Sequence, residues 1–388
     1  MDFDLTDDQR AIADAVADLA ARFDADYWAA RDAAHEFPWA FYTAFAEAGW
    51  LGIAVPEAYG GGGLGIQEAA ILLEEVAASG AGMNGCSTLH LTIFGINTIV
   101  KHGSEELRRE ILPSVVDGSL HVCFAVTEPD AGTDTTRIST FARRDGDDYV
   151  IDGRKVWITK AAESQKMVLI TRTTPRDQVE RPTDGMSLFL VDIDRSAMDI
   201  RPIPKMGRNA VSSNEVFIDG LRVPASARIG NEGDGFRYLL DGLNPERILL
   251  AHEALGIGRA ALDAAVRYAK DRVVFDRPIG SNQGVAFPLA ESRARLDAAR
   301  LMARNAAWRY DQGRPCGTEA NMAKYLCAEA GFAAADRAVQ THGGMGYATE
   351  YHVERYFRES RILRLAPVSQ EMVLNYLAQH TLGLPRSY

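Results

Sequence analysis

The apolar residues of this chain change their spacing twice, and that double switch constrains the fold more than any other feature. In the first third they keep helical intervals: Ile12, Val16, Leu19 and Phe23 share a face, and Thr6 ahead of Asp7 and Asp8 supplies an N-terminal cap. The spacing predicts a second helix over 37–49, closed by Gly49 in a left-handed cap. The glycine cluster at 60–63 is a loop leading into a helix over 67–78. From His121 the pattern becomes short β-branched and aromatic runs, at 140–143, 149–151, 155–159, 167–171, 186–191 and 216–221. Asp145-Gly146 and Asp152-Gly153 fall between such runs, and Asp-Gly tolerates the positive φ of tight hairpin turns. These runs read as one antiparallel β unit. After Gly235 the helical period returns over 245–270, 286–312, 317–342 and 369–382, alanine-rich like the helices of a packed bundle. The order is therefore helical, β, helical.

Composition narrows the function. With 47% apolar and 24% charged residues the chain has the balance of a globular protein, and 388 residues are enough for two or three packed units. A net charge of −11 argues against nucleic acid as the main partner, because a phosphate backbone needs a concentrated basic surface. The acidic, amphipathic start lacks the features of a secretory signal, and no apolar run is long enough to span a membrane, so a cytoplasmic protein is expected. Cys86, Cys123, Cys316 and Cys327 are scattered without a CxxC pair, which favours buried free thiols over a metal site; no metal is expected.

Three stretches carry chemistry. AVTEPDAGTD, 125–134, has the small residues Ala131 and Gly132 beside the hydroxyls of Thr127 and Thr133, which suits a phosphate or a heterocycle edge and equally a capped turn. In VWIT, 156–159, Trp157 is suited to stack on a flat ring while Thr159 donates to it, or to fill the core. In QTHGGMGYATEYHVERYFRE, 340–359, the glycines 343, 344 and 346 break a helix just after polar side chains.

In order and spacing these stretches resemble the signature regions of the acyl-CoA dehydrogenase family, and the resemblance runs over about residues 5–384. It implies an α+β fold: an N-terminal helical domain (1–120), a central antiparallel β-barrel-like domain (121–232) and a C-terminal four-helix bundle (233–388). It also implies FAD as cofactor, lined by Phe124, Val126, Thr127 and Thr133, with Trp157 against the ring and Thr159 near N5. The segment 271–285 looks like the one that reaches a neighbouring subunit's cofactor, with Arg272 on the pyrophosphate and Phe275 and Gln283 beside it. Gln340, Gly343, Gly344, Ser369 and Glu371 complete the implied cofactor contacts, and Thr133, Asn244 and Arg247 those to substrate. The implied reaction is α,β-dehydrogenation of an acyl-CoA to the trans-2-enoyl-CoA, in a homotetramer built as a dimer of dimers that passes electrons to an electron-transfer flavoprotein.

The chain departs from the family pattern at informative places. Arg137 stands where a small residue is usual, Lys160 where asparagine follows Trp-Ile-Thr, and Asp276 where glycine is common. LAPVSQEM, 365–372, replaces the Tyr-Glu-Gly-Thr stretch whose glutamate is the base in many members, and that glutamate's position is Pro367. Proline offers neither a carboxylate nor an N–H. The isovaleryl and long-chain branches place their base at the start of the first C-terminal helix, and Glu246 falls there, with Asn244 as N-cap and Pro245 in the first turn. A glutamate in a first turn is also favoured by the helix dipole alone. A different flavin or elimination reaction, or a binding protein without turnover, are the alternatives that Pro367 raises.

Overall fold

The computed structural model describes residues 4–387. Seven helices come first: α1 (Asp7–Ala20), α2 (Ala25–Ala34), α3 (Trp39–Glu47), α4 (Ile66–Val76), α5 (Gly82–His90), α6 (Asn97–His102) and α7 (Glu105–Val116). As expected, Thr6 caps α1, its hydroxyl accepting from the Gln9 N–H at 3.2 Å while the Gln9 side chain accepts from Thr6 N–H. Gly49 follows α3 with φ of 79°, the left-handed conformation the sequence calls for.

Eight strands form the middle sheet: β1 (Val122–Ala125), β2 (Phe141–Asp145), β3 (Asp148–Thr159), β4 (Lys166–Arg172), β5 (Met186–Asp192), β6 (Met198–Pro202), β7 (Ser213–Pro224) and β8 (Arg228–Ile229). Their order is β6-β7-β3-β2-β4-β5-β8, with β1 added alongside β4. Two expectations are corrected here. The sheet is mixed, because β1 and β2 each pair with β4 in parallel. The runs at 149–151 and 155–159 are one strand, not two joined by a turn: β3 passes through Asp152-Gly153 as a register shift against β7. Gly153 is needed there for space, since a Cβ would lie 2.5 Å from the Thr140 hydroxyl.

The C-terminal part holds α8 (Gly235–Asp271), a short hairpin of β9 (Val273–Val274) and β10 (Arg277–Pro278), α9 (Gln283–Asp311), α10 (Gly317–His342), α11 (Val353–Ser360), α12 (Ile362–Leu365) and α13 (Gln370–His380). Helix α8 begins ten residues before the expected start, so Asn244 is not its N-cap and Pro245 lies in its interior. An interior proline costs about 3 kcal/mol, and burial of Tyr238 and Leu239 against Met186, Leu188 and Ile229, at about 1.5–3 kcal/mol per side chain, offsets that loss.

One core runs from the N-terminal helices into the bundle, joining Trp28, Phe41 and Leu72 to Leu249, Leu255 and the alanines of α10. The buried Glu74 of α4 ties the two parts by charge: its carboxylate accepts from His252 at 2.8 Å and from Arg259 and Arg300. Burial would raise its pKa, and these partners outweigh that, holding it at about 2. Helices α8 and α10 approach at glycines. A Cβ on Gly331 would lie 2.3 Å from the backbone oxygen of Ala254. Gly331→Ala is therefore expected to destabilise: overpacking costs about 1–3 kcal/mol, against a helix-propensity gain of at most about 1 kcal/mol. A lowered thermal unfolding midpoint is the check; an unchanged or raised one contradicts the packing argument. Among the described residues no helix is long and apolar enough to cross a membrane, and all four cysteines are buried and free.

Candidate active site

The loop after β1 is held from beneath by a buried ion pair. Lys155 Nζ donates to Glu128 Oε1 and to the Val126 carbonyl, both at 2.9 Å, and Glu128 also accepts from the Ser139 and Thr140 N–H groups and the Ser139 hydroxyl. Burial pushes the Glu128 carboxyl up, and Lys155 with these donors outweighs it, so the pKa lies below the ordinary carboxylate value. With the loop anchored this way, the Val156 N–H donates to the Thr127 carbonyl at 2.9 Å, which sets Thr127 beside Trp157.

Trp157 is not a core residue. It is 56% exposed, with φ of 62°, at the second register shift of β3. A bulky side chain in that backbone region is uncommon, and strain of this sort collects at functional sites. Behind it, Thr159 accepts from Arg208, whose guanidinium also donates to Ser87 and Ser213 and so joins β3, β7 and α5.

On the other side of the site, Glu246 sits in α8 more than two turns from the helix start, so the dipole argument for a glutamate there does not apply. Its side chain is 15% exposed, and one oxygen, Oε2, lies 3.2 Å from His90 Nε2. His90 Nδ1 lies 2.7 Å from Oε1 of Glu253, a fully enclosed carboxylate two turns further along α8. Asn244 Oδ1 accepts from Arg247, a contact within the helix.

The remaining expected residues fall in several other parts of the fold. Thr133, Ser369 and Glu371 line one cleft of about 580 Å³, Ser369 capping α13 through the Met372 N–H. Lys324 of α10 pins the loop before it, donating to the Val368 carbonyl at 2.7 Å. Gln340 lies exposed in the last turn of α10, and Gly343 and Gly344 follow the helix with no atom within 4 Å of where a side chain would begin. Arg272, Phe275 and Gln283 are all exposed, Phe275 at 93%, the first two at the hairpin between α8 and α9 and Gln283 at the first position of α9. Phe124 and Val126 are half-buried against the apolar cluster that holds Met186, Leu188 and Tyr238. Among the described residues no group of three or more His, Cys, Asp or Glu side chains is placed to hold a metal ion.

Three family models match the chain, for the N-terminal, middle and C-terminal domains of acyl-CoA dehydrogenases, over residues 6–119, 123–221 and 233–382. The chain belongs to the acyl-CoA dehydrogenase family. It is 40% identical over 387 residues to the acyl-CoA dehydrogenase FadE12 of Mycobacterium tuberculosis, covering 99% of this chain and 98% of that one. Butyryl-CoA dehydrogenase of Megasphaera elsdenii superposes with a TM-score of 0.93 at 29% identity, over 98% of this chain and 100% of its own. A FAD complex of PigA gives a TM-score of 0.93 at 26% identity, over 99% and 100%. Membership makes the protein an oxidoreductase with FAD as its cofactor. The surface fits that group: the exposed indole of Trp157 offers a face to a flat ring, and the open backbone at Gly343 and Gly344 admits close approach of a dinucleotide.

Sequence reasoning missed His90, Glu253, Arg208, Lys155 and Glu128. For Glu253 a signal existed, since it lies seven residues after Glu246 and so on the same helix face. For His90 and Arg208 none did.

Proposed function

We propose that this enzyme carries out α,β-dehydrogenation of an acyl-CoA thioester, with Glu246 as the base that removes the α-proton, giving the trans-2-enoyl-CoA. The observation that supports this most directly is the state of Glu246: mostly buried, hydrogen-bonded through Oε2 alone, and with Oε1 free of any bond among the described residues. Pro367 at the alternative position carries no base. FAD, when bound, supplies the acceptor for the β-hydrogen as hydride. Thr127, Thr133, Trp157, Thr159, Phe124 and Val126 would hold it from the sheet side, and Gln340, Gly343, Gly344, Ser369 and Glu371 from the helical side. Thr133, Asn244 and Arg247 would serve the substrate. The carrier is coenzyme A, and an electron-transfer flavoprotein takes the electrons away.

Arg272, Phe275 and Gln283 are exposed on their own chain, which supports their serving FAD held mainly by another copy in a homotetramer. Exposed Val273 and Val274 on the hairpin and Phe287, Leu301 and Trp308 on α9 are apolar surface such an assembly would cover. Arg272→Ala should lower FAD occupancy, the lost charge-assisted phosphate contact being worth roughly 1.5–3 kcal/mol. Unchanged occupancy, or light scattering that shows a fully FAD-loaded monomer, contradicts this assembly.

The reaction itself is tested by anaerobic titration with a panel of acyl-CoAs of differing length and branching. Bleaching of the flavin spectrum with release of the enoyl-CoA is expected for at least one member. Product formed without bleaching would instead mark an elimination.

A further inference from the structure

We infer that His90 is a positioning residue: as an imidazolium clamped between Glu253 and Glu246, it holds one oxygen of the base and leaves the other for the α-proton. The inference rests on the reading of Glu246 as base.

Each ring nitrogen of His90 faces a carboxylate, Nδ1 to Glu253 at 2.7 Å and Nε2 to Glu246 at 3.2 Å. Imidazole has one N–H when neutral and two only when protonated, so the doubly protonated ring alone donates to both. The surroundings favour that form. Burial by itself lowers the pKa of His90, but the charges and hydrogen bonds of Glu246 and Glu253 prevail and lift it to about 10. Among the described residues, the two carboxylates on α8 are the charged groups hydrogen-bonded to the ring. Arg208, on the loop before β7, bears on Glu253 from behind, and the Phe94 ring stands 5.7 Å from the imidazole.

Charge balance gives each member a task. A lone imidazolium beside Glu246 would neutralise it and weaken it as a proton acceptor. Glu253 on the far nitrogen supplies a counter-charge of its own, so the imidazolium fixes Oε2 of Glu246 without drawing its whole compensation from that carboxylate. When Glu246 takes the α-proton on Oε1, His90 keeps both its protons. No proton need leave during the step. His90 is the last residue of α5, and a single π-helical turn, Leu91–Gly95, follows it; such turns are frequent at functional sites.

Ring-¹⁵N histidine labelling of the FAD-loaded protein, with the His90 signals assigned by difference from His90→Gln, reads the first claim directly. Both nitrogens should be protonated at pH 8.5, where an ordinary histidine, with a pKa near 6.5, is neutral; a neutral ring overturns the proposal. The second measurement is single-turnover flavin bleaching against pH in His90→Gln/Glu253→Gln, which removes the cation and its counter-charge together. Bleaching should slow by about tenfold to a hundredfold, with KM within about threefold. The acidic limb of the rate profile should move up by about one to three units as the neighbouring cation is lost. A wild-type limb and rate, or a loss confined to KM, overturns it. Glu246→Gln in parallel separates the two readings: if it bleaches normally the base reading falls and this one with it, whereas a slow Glu246→Gln beside a normal double variant sinks the positioning role alone.

Discussion

Glu246→Gln is expected to leave the enzyme folded and FAD-loaded while slowing substrate-induced bleaching by about two to four powers of ten. Glutamine keeps the volume of the side chain and still presents an oxygen to His90 Nε2, so the packing of α5 against α8 has no reason to change. What disappears is the capacity to take a proton. A thioester α-hydrogen is only weakly acidic, so without a base the enolate cannot form at a useful rate whatever stabilises it. Glu371→Gln is the matched control. That carboxylate is exposed in the first turn of α13, where the backbone and the Ser369 hydroxyl hold its pKa below the ordinary value, and it lines the cleft with Thr133 and Ser369. Its replacement should disturb FAD binding more than proton abstraction. Stopped-flow bleaching under nitrogen distinguishes the two; a wild-type rate in Glu246→Gln moves the base elsewhere and favours an elimination.

The second large effect is on stability. Lys155→Met should cost about 3–5 kcal/mol, because it strips a fully enclosed Glu128 of its counter-charge. The loop at 125–134 hangs from that pair through the Val126 carbonyl, so FAD occupancy should fall with stability. The pH dependence has a definite sign. The folded-state pKa of Glu128 is depressed, so its contribution is present above the ordinary carboxylate value of 4.5 and fades as pH falls through the lower folded value. In Lys155→Met this pH sensitivity should shrink. Adding Glu128→Gln should recover much of the loss, since a neutral amide needs no cation. Urea unfolding at pH 7 and at pH 4 reads each of these; a single variant as stable as wild type would show that the pair is not what holds the loop.

Much of the architecture was legible from local pattern. The caps at Thr6 and Gly49, the hairpin at Asp145-Gly146 and the end of α10 at His342 all follow from chemistry confined to a few neighbouring residues. Trp157 and the glycines at 343 and 344 were likewise recognisable as a set. The order of helical and sheet segments was set by side-chain period alone, because a stripe of apolar residues can be buried only by the element whose geometry gathers it on one face.

The course of two elements was decided otherwise. Strand β3 runs on through Asp152-Gly153 because β7 is there to pair with both halves, and Gly153 fits against Thr140. Helix α8 runs through Pro245 because Tyr238 and Leu239 have a core to enter. In both cases a local stop signal worth a few kcal/mol was outweighed by tertiary contacts of equal or larger size. The same holds for the chemistry. Glu246 could be named as a candidate from its place in the chain, but the histidine against it is 156 residues earlier and Arg208 comes from a third part of the fold. Side-chain type and spacing determine which local elements form; which charged groups meet inside depends on how those elements pack, and only the packed structure brings His90 between Glu246 and Glu253.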